Sequence, residues 1–352
     1  MSSSPDKVAI TFAGAVANGA FEAGALEVLA EEGFPFKKVL GASAGALNAT
    51  VFARYLLAGD PRGGARALVA LWRTEATFLR IFRPSPRGIA SLTGLSDQRG
   101  LVDILRRQVA PVPDAGIDLD LYVVVTSLQG LKSDIGGTPA TTHEGVCHFD
   151  KRDFASRERL EQVFQAAAAS AAFPVAFVPS HVRGFGPCSD GGIVNNTPLA
   201  HVIDPDIGRV VVVVPSPRVS HEHPPKGIGA LAWRISDVIV QERLYRDLRA
   251  AEKVNGRVGA LDALGAKFTD KSLLYDARVA AGLGGKRRVE FLEVRPERVL
   301  PNPFAGFFSR KLREALIEKG RLAARKALRA DGWASAVVAP APPRAARLAS
   351  GA

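Results

Sequence analysis

Twice within the first 57 residues the chain runs through the same local pattern: a short apolar run, a tight stretch of small residues, then apolar residues at helical spacing. Val8-Ala9-Ile10-Thr11-Phe12 is a β-rich run that ends in the Gly/Ala-rich stretch Gly14–Gly19, after which Phe21, Ala25, Leu26 and Leu29 recur as on one face of a helix. Val39-Leu40 closes a second short strand, Gly41–Gly45 is a sharp turn bounded by glycines, and Ala46–Leu57 has the small and apolar residues of a buried helix. Further strands are expected at Leu121–Val125, Val210–Val214 and Val289–Val294, and continuous apolar runs of this kind suit a sheet covered on both faces. The βαβα order predicts an α/β fold of three layers, α/β/α, with a mostly parallel central sheet.

The 352 residues are enough to bury a sizeable core, and 47% hydrophobic with 23% charged residues excludes a mainly disordered or fibrous chain. No stretch of about 18 uninterrupted apolar residues predicts a transmembrane helix, and the N-terminal Met-Ser-Ser-Ser-Pro-Asp-Lys lacks the pattern of a secretory signal. The expected location is cytoplasmic. Cys147 and Cys188 are too few for a disulfide framework and have no metal-ligand spacing, so both read as buried thiols. The expected organisation is one domain over residues 1–335. Within it the Pro-, Ser- and Gly-rich residues 83–100 form a mobile loop or insertion, and 286–330 a basic strand and helix; a disordered tail follows at 336–352.

The first chemical signal is Gly41-Ala42-Ser43-Ala44-Gly45, a G-x-S-x-G sequence between a strand and a helix. Small residues on both sides of the serine permit a strained turn that lifts the hydroxyl clear, beside the free N–H groups of a helix N-terminus. The second is Asp190-Gly191-Gly192, where a tight turn can present a carboxylate without obstruction. Each alone also reads as an ordinary glycine turn. Together with the Gly14–Gly19 loop as a source of backbone donors, they supply a nucleophile, a base and an anion site in three separate segments.

With these motifs in place the sequence resembles the patatin-like phospholipase family. The resemblance rests on Gly14–Leu26, the Gly41–Gly45 elbow, the stretch Ala169-Ser170-Ala171-Ala172-Phe173-Pro174-Val175-Ala176-Phe177, and Asp190-Gly191-Gly192 followed by Asn195-Asn196-Thr197-Pro198, in the family's order. It implies a patatin-like α/β/α fold and a serine–aspartate dyad lipid acyl hydrolase, of phospholipase A or lysophospholipase type. Ser43 would be the nucleophile and Asp190 the base. The oxyanion hole would come from Gly14, Ala15, Val16 and Ala44, and Gly19, Gly41, Gly45, Gly191 and Gly192 would be the motif glycines. No metal or cofactor is implied, and no histidine is needed; His201 follows the Asp190 segment, but its apolar neighbours suggest a packing contact rather than a Ser-His-Asp triad.

Three positions depart from the family's Gly-Gly-Gly-x-Arg/Lys-Gly loop: Ala15 and Val16 replace glycines, and Asn18 replaces the basic residue. If the loop needs φ > 0 at position 16, a β-branched side chain is strained there. That leaves a second reading, a weak or inactive lipid- or acyl-binding protein on the same fold. Ser127 stands where the family often has aspartate.

The net charge of +11 is mostly a C-terminal property, since Lys286–Ala352 holds 15 basic and 6 acidic residues, or +9. From Phe308 onward Phe308, Leu312, Leu316, Ala323 and Ala327 fall mainly four apart. The basic helix reads either as a surface helix packed on the sheet or, with Phe304, Phe307 and Phe308 as an apolar foot, as a peripheral contact with an anionic membrane surface. No zinc spacing or aromatic RNA-binding signature points to nucleic acid. The expected partner is a lipid ester or phospholipid substrate.

Overall fold

The computed structural model describes residues 7–14, 16–135, 137–203, 206–218, 224, 226–265, 271–284, 286–330 and 333. The expected tail at 336–352 lies outside them. In chain order the elements are β1 (Lys7–Phe12), α1 (Gly19–Leu29), β2 (Phe36–Gly41), α2 (Ala44–Leu57), α3 (Pro61–Thr74), α4 (Phe78–Ile81), β3 (Arg83–Pro84), α5 (Pro86–Ala90), β4 (Ser96–Asp97) and α6 (Arg99–Gln108). They continue with β5 (Asp120–Ile135), β6 (Thr138–Phe149), α7 (Arg157–Ser170), β7 (Ser180–Val182), β8 (Gly186–Ser189), β9 (Ile207–Val213), α8 (Ile228–Gly265), α9 (Lys271–Ala280), β10 (Glu290–Val294) and α10 (Arg310–Ala330).

The main sheet runs β10-β9-β1-β2-β5-β8-β7, with β6 also paired to β5. The first five strands are mutually parallel, while β6 and β8 pair antiparallel to β5, and β7 antiparallel to β8. The sheet is thus mixed and mostly parallel, flanked by helices. Alternation along the strands feeds two separate apolar layers, as the two-residue side-chain period requires. Val8, Ile10 and Phe12 of β1 and Val211 and Val213 of β9 join one layer with α1, α2, α3, α7 and α10. Ala9, Val210 and Val212 join the other, under Leu199, Val202 and α8 through Leu244 and Leu248. This double burial is why the β9 run Val210–Val214 carries no polar residue.

The C-terminal helix α10 packs on α1 at very close range. A Cβ on Gly24 would lie 1.9 Å from Ile317 O, and one on Gly320 2.0 Å from Phe21 O, so each helix offers a glycine where the other's backbone passes. Its buried side is Arg313, Leu316, Ile317, Gly320, Ala324 and Leu328, rotated from the stripe the sequence suggests. Part of the basicity is structural: Arg313 donates to Gly306 O at 2.6 Å and Arg73 O at 3.1 Å, and Arg321 to Glu27 at 2.7 Å.

The 83–100 stretch holds short elements rather than open coil. β3 and β4 pair antiparallel, Ser85 caps α5 through Gly88 N–H, and Ser96, buried, receives Ala176 as a backbone acceptor for its N–H at 2.9 Å. Its composition is that of a loop, but its backbone groups find partners in the segment after α7. No described helix is long and apolar enough to cross a membrane.

Candidate active site

The turn from β2 into α2 places Ser43 at φ +53°, ψ −133°, a conformation that L side chains rarely adopt. It persists because glycines let neighbouring backbone close around it. A Cβ on Gly41 would lie 2.3 Å from Gly45 O, and one on Gly45 2.2 Å from Phe12 O. Ser43 N–H donates to Ser170 Oγ at 2.9 Å, which ties the turn to the end of α7. The N–H of Ala44, first residue of α2, has no acceptor one turn back in its own helix.

Ser43 Oγ donates to Asp190 Oδ2 at 2.7 Å, across 147 residues of sequence, and both side chains are buried. The other carboxylate oxygen, Oδ1, accepts from Gly192 N–H at 2.7 Å, and the Asp190 carbonyl accepts from Thr126 Oγ1 at 2.6 Å. A Cβ on Gly191 would lie 2.0 Å from Val124 O, so the turn after Asp190 sits directly on β5. Burial pushes the Asp190 carboxyl up to about 7, against the hydrogen bonds from Ser43 and Gly192, which pull it down. A carboxyl with that affinity, hydrogen-bonded to a serine, can take up and return a proton near neutral pH.

The loop after β1 lies against the same two groups. A Cβ on Gly14 would lie 2.1 Å from Ser43 Cβ and 2.7 Å from Ala42 O. Gly14 N–H donates to Asn196 Oδ1 at 2.8 Å, and Asn196 Nδ2 donates to Gly14 O at 2.9 Å. The expectation of a free amide donor at Gly14 is therefore corrected: a side-chain amide occupies it. Val16 has φ +53°, the left-handed conformation in which a glycine would be unstrained. Ala15 lies outside the described residues. Gly19, the first residue of α1, faces the Trp72 ring, 2.4 Å from where a Cβ would stand.

The patatin-like phospholipase model matches residues 10–203, more than half of the chain and the span that contains all of these groups. The chain belongs to the patatin-like phospholipase family. Among solved structures it is similar to VipD from Legionella pneumophila, at 14% identity and a TM-score of 0.41, covering 93% of this chain and 67% of that one. It is also similar to the full-length SpcU–ExoU complex from the type III secretion system of Pseudomonas aeruginosa, at 15% identity and a TM-score of 0.29, covering 92% and 71%. No curated protein matches. Strands outside the matched span, β9 and β10, complete the patatin-like sheet beside β1.

In this patatin-like protein the hydroxyl of Ser43 opens on a small apolar cavity of about 40 Å³. Val16, Ala44, Trp72, Phe82, Phe173, Phe177, Phe304 and Phe307 are among its walls. Trp72 is held by its Nε1–H to Asn48 Oδ1 at 2.8 Å, and Asn48 Nδ2 reaches Glu22 Oε2 at 2.7 Å and Gly19 O at 3.1 Å. Burial pushes the Glu22 carboxyl well above the usual carboxylate range, against the Asn48 hydrogen bond.

The remaining candidates sit elsewhere. His201 pairs with Glu144 Oε1 at 3.1 Å, where Asn195 at 2.8 Å and Arg243 at 3.2 Å also converge on that carboxylate, and it makes no contact with Ser43. His221 and His223 lie outside the described residues. Ser127 donates to Phe185 O at 2.8 Å, a structural use of the hydroxyl. Cys147 and Cys188 are free buried thiols, and burial first of all pushes them up to about 12 and about 11. Among the described residues no group of three or more His, Cys, Asp or Glu side chains converges as a metal site requires. The roles that residue patterns alone did not assign are those of Asn196, Ser170 and Thr126. A lone serine in the Ala166–Ala172 run is the one signal that pointed to Ser170.

Proposed function

We propose that the chain is a lipid acyl hydrolase of phospholipase A or lysophospholipase type that uses Ser43 as nucleophile and Asp190 as its base, within one domain spanning residues 1–335. The observation that carries this reading is the 2.7 Å hydrogen bond from Ser43 Oγ to a buried carboxyl whose proton affinity lies near neutrality.

In the first step Asp190 Oδ2 takes the Ser43 proton while Oγ forms a bond to the ester carbonyl carbon. The carbonyl oxygen becomes an oxyanion, for which the N–H groups of Ala44 and Val16 are the candidate donors beside Ser43. The C–O bond to the alcohol then breaks, and Asp190 returns its proton to the leaving oxygen. In the second step a water gives its proton to Asp190 and attacks the acyl-enzyme; as the C–Oγ bond breaks, Asp190 returns that proton to Ser43 Oγ and the fatty acid leaves. The apolar walls of the cavity suit an acyl chain, and apart from Ser43, Asp190 and the Trp72 N–H its described lining is apolar, which suits the low-dielectric surroundings in which such donors act most strongly.

The second reading, an acyl-binding protein with decayed hydrolysis, draws on the occupied Gly14 N–H and on Val16 in place of a glycine. A fluorophosphonate probe separates the two. The hydrolase reading expects one label per chain, mapped to Ser43 and absent in Ser43→Ala; well-folded protein that takes no label supports the binder.

A further inference from the structure

The cavity over Ser43, about 40 Å³, is far smaller than the roughly 300–1,000 Å³ of pockets that enclose a ligand, so an acyl chain enters only if a wall moves. The wall that faces outward is aromatic and continuous with the surface. Phe177 stacks on Phe82 with centroids 5.1 Å apart, Phe82 on Phe78 at 4.6 Å, and Phe78 on Phe308 at 4.8 Å. Phe177 is 5% exposed and Phe308 71%, so one stack of rings runs from the cavity to solvent.

Around its outer end the chain exposes apolar side chains that core packing does not use. Leu79 is 80% exposed, Leu92 93% and Val175 76%. Leu92 at φ +55° and Val175 at φ +70° occupy left-handed positions where glycine or asparagine is the usual residue. The loops carrying them are joined, since Leu95 N–H donates to Val175 O at 3.1 Å. The charge around them is mostly positive, with Glu75 pairing Arg80 and Glu314 pairing Arg310 at its margin. Ala76–Ser96 contains Arg80, Arg83 and Arg87 and no Asp or Glu; Ala171–Arg183 and Pro303–Arg313 contain no Asp or Glu either, and the latter adds Arg310 and Lys311 beside Phe308.

We infer that this face, formed by residues 78–95, 173–178 and 304–311, docks on an anionic lipid surface and that docking opens the aromatic stack over Ser43. The exposed Leu and Val side chains and Phe308 enter the acyl layer, while Arg83, Arg87 and Lys311 meet the lipid phosphates. Drawing Phe308 and Phe78 into lipid removes the ring on which Phe82 leans, and the cavity opens toward the interface that supplies its substrate. The inference rests on the hydrolase reading only for what enters the cavity; the docking itself does not need Ser43.

The test is flotation of the full chain with phosphatidylcholine vesicles, with and without phosphatidylglycerol, together with hydrolysis of a soluble short-chain nitrophenyl ester before and after vesicles are added. Wild type and Ser43→Ala are expected to float equally with the anionic vesicles, less at high salt. The double variant Leu79→Asp/Leu92→Asp is expected to bind at least about tenfold more weakly, since each leucine contributes its own burial. It should keep the wild-type rate on the soluble ester in the absence of vesicles and lose the rise that vesicles cause. Wild type that does not float with anionic vesicles, or a double variant that floats and is stimulated like wild type, overturns the inference. Flotation with no ester hydrolysis at all instead overturns the hydrolase reading and leaves the docking face standing.

Discussion

The side-chain amide of Asn196 grips both polar groups of Gly14, accepting from its N–H at 2.8 Å and donating to its carbonyl at 2.9 Å across 182 residues. Asn196 lies six residues after Asp190 and Gly14 directly against Ser43, so this pair locks the segment bearing the proposed base to the loop beside the proposed nucleophile. Asn196→Ala takes this partner from the half-buried N–H and C=O of Gly14, at about 1 kcal/mol per group. Misplacing the loop should lower kcat/KM by about 10²-fold, as small displacements in a reacting geometry do. Asn196→Asp keeps the acceptor but loses the donor and should fall between the two. Steady-state kinetics on a soluble ester, with thermal melts as the measure of folding, check the series.

The buried carboxyl of Asp190 ties activity and stability to pH in opposite directions. As the base it must be ionised, so kcat/KM should rise about tenfold per pH unit below 7 and level off above it. In the unfolded chain the same group titrates near the ordinary aspartate value of 3.8, and in the folded protein at about 7. Between these the folded state keeps a proton the unfolded state has lost. The stability this contributes is complete below about pH 4 and is lost as pH climbs through 7, a change of about 4 kcal/mol. Asp190→Asn should abolish hydrolysis and flatten that loss. Urea unfolding of both proteins between pH 4 and 8 measures it.

Val16 tests whether the altered loop limits the chemistry. Its backbone already takes φ +53°, the conformation a glycine would adopt there, in spite of its β-branched side chain. A left-handed non-glycine residue costs about 1–2 kcal/mol, and glycine gives back roughly 0.5–1 kcal/mol through the freer unfolded chain. Because the Val16 side chain also packs partly buried against the core, its loss offsets that relief; Val16→Gly should stay within about 1 kcal/mol of wild type and leave ester hydrolysis within a few-fold of it. A rise of 10² or more in rate would show instead that valine holds the donors out of place, since one such donor is worth about that much.

Much of the architecture was legible because it rests on local patterns. The two strand, turn, helix units at Val8–Leu29 and Val39–Leu57 fold as β1–α1 and β2–α2, and the valine run at 210–214 is the strand buried on both faces. The G-x-S-x-G and Asp-Gly-Gly turns could be read from residue type, because backbone passes within about 2.0–2.3 Å of where a Cβ would stand at Gly41, Gly45 and Gly191, which only glycine permits. What stayed hidden depends on contacts between distant segments. Nothing near Asn196 announces a partner at Gly14, and the antiparallel pairing of β6 and β8 with β5 follows no apolar run. On α10 the apolar spacing suggested a face through Leu312 and Ala323. That face does pack, partly buried, against the core, but the closest approach to α1 is at Gly320 and Ile317, because the crossing is set by a glycine on each helix and Arg313 finds carbonyl partners inside.

The most direct measurement is the rate of nitrophenyl ester and phospholipid hydrolysis by wild type and Ser43→Ala, purified in parallel and matched by melting temperature. The Ser43–Asp190 account predicts turnover by wild type and a loss of at least about 10³-fold in kcat/KM for the alanine variant on both substrates, the scale at which removal of a nucleophile is felt. Equal rates in the two proteins would contradict it.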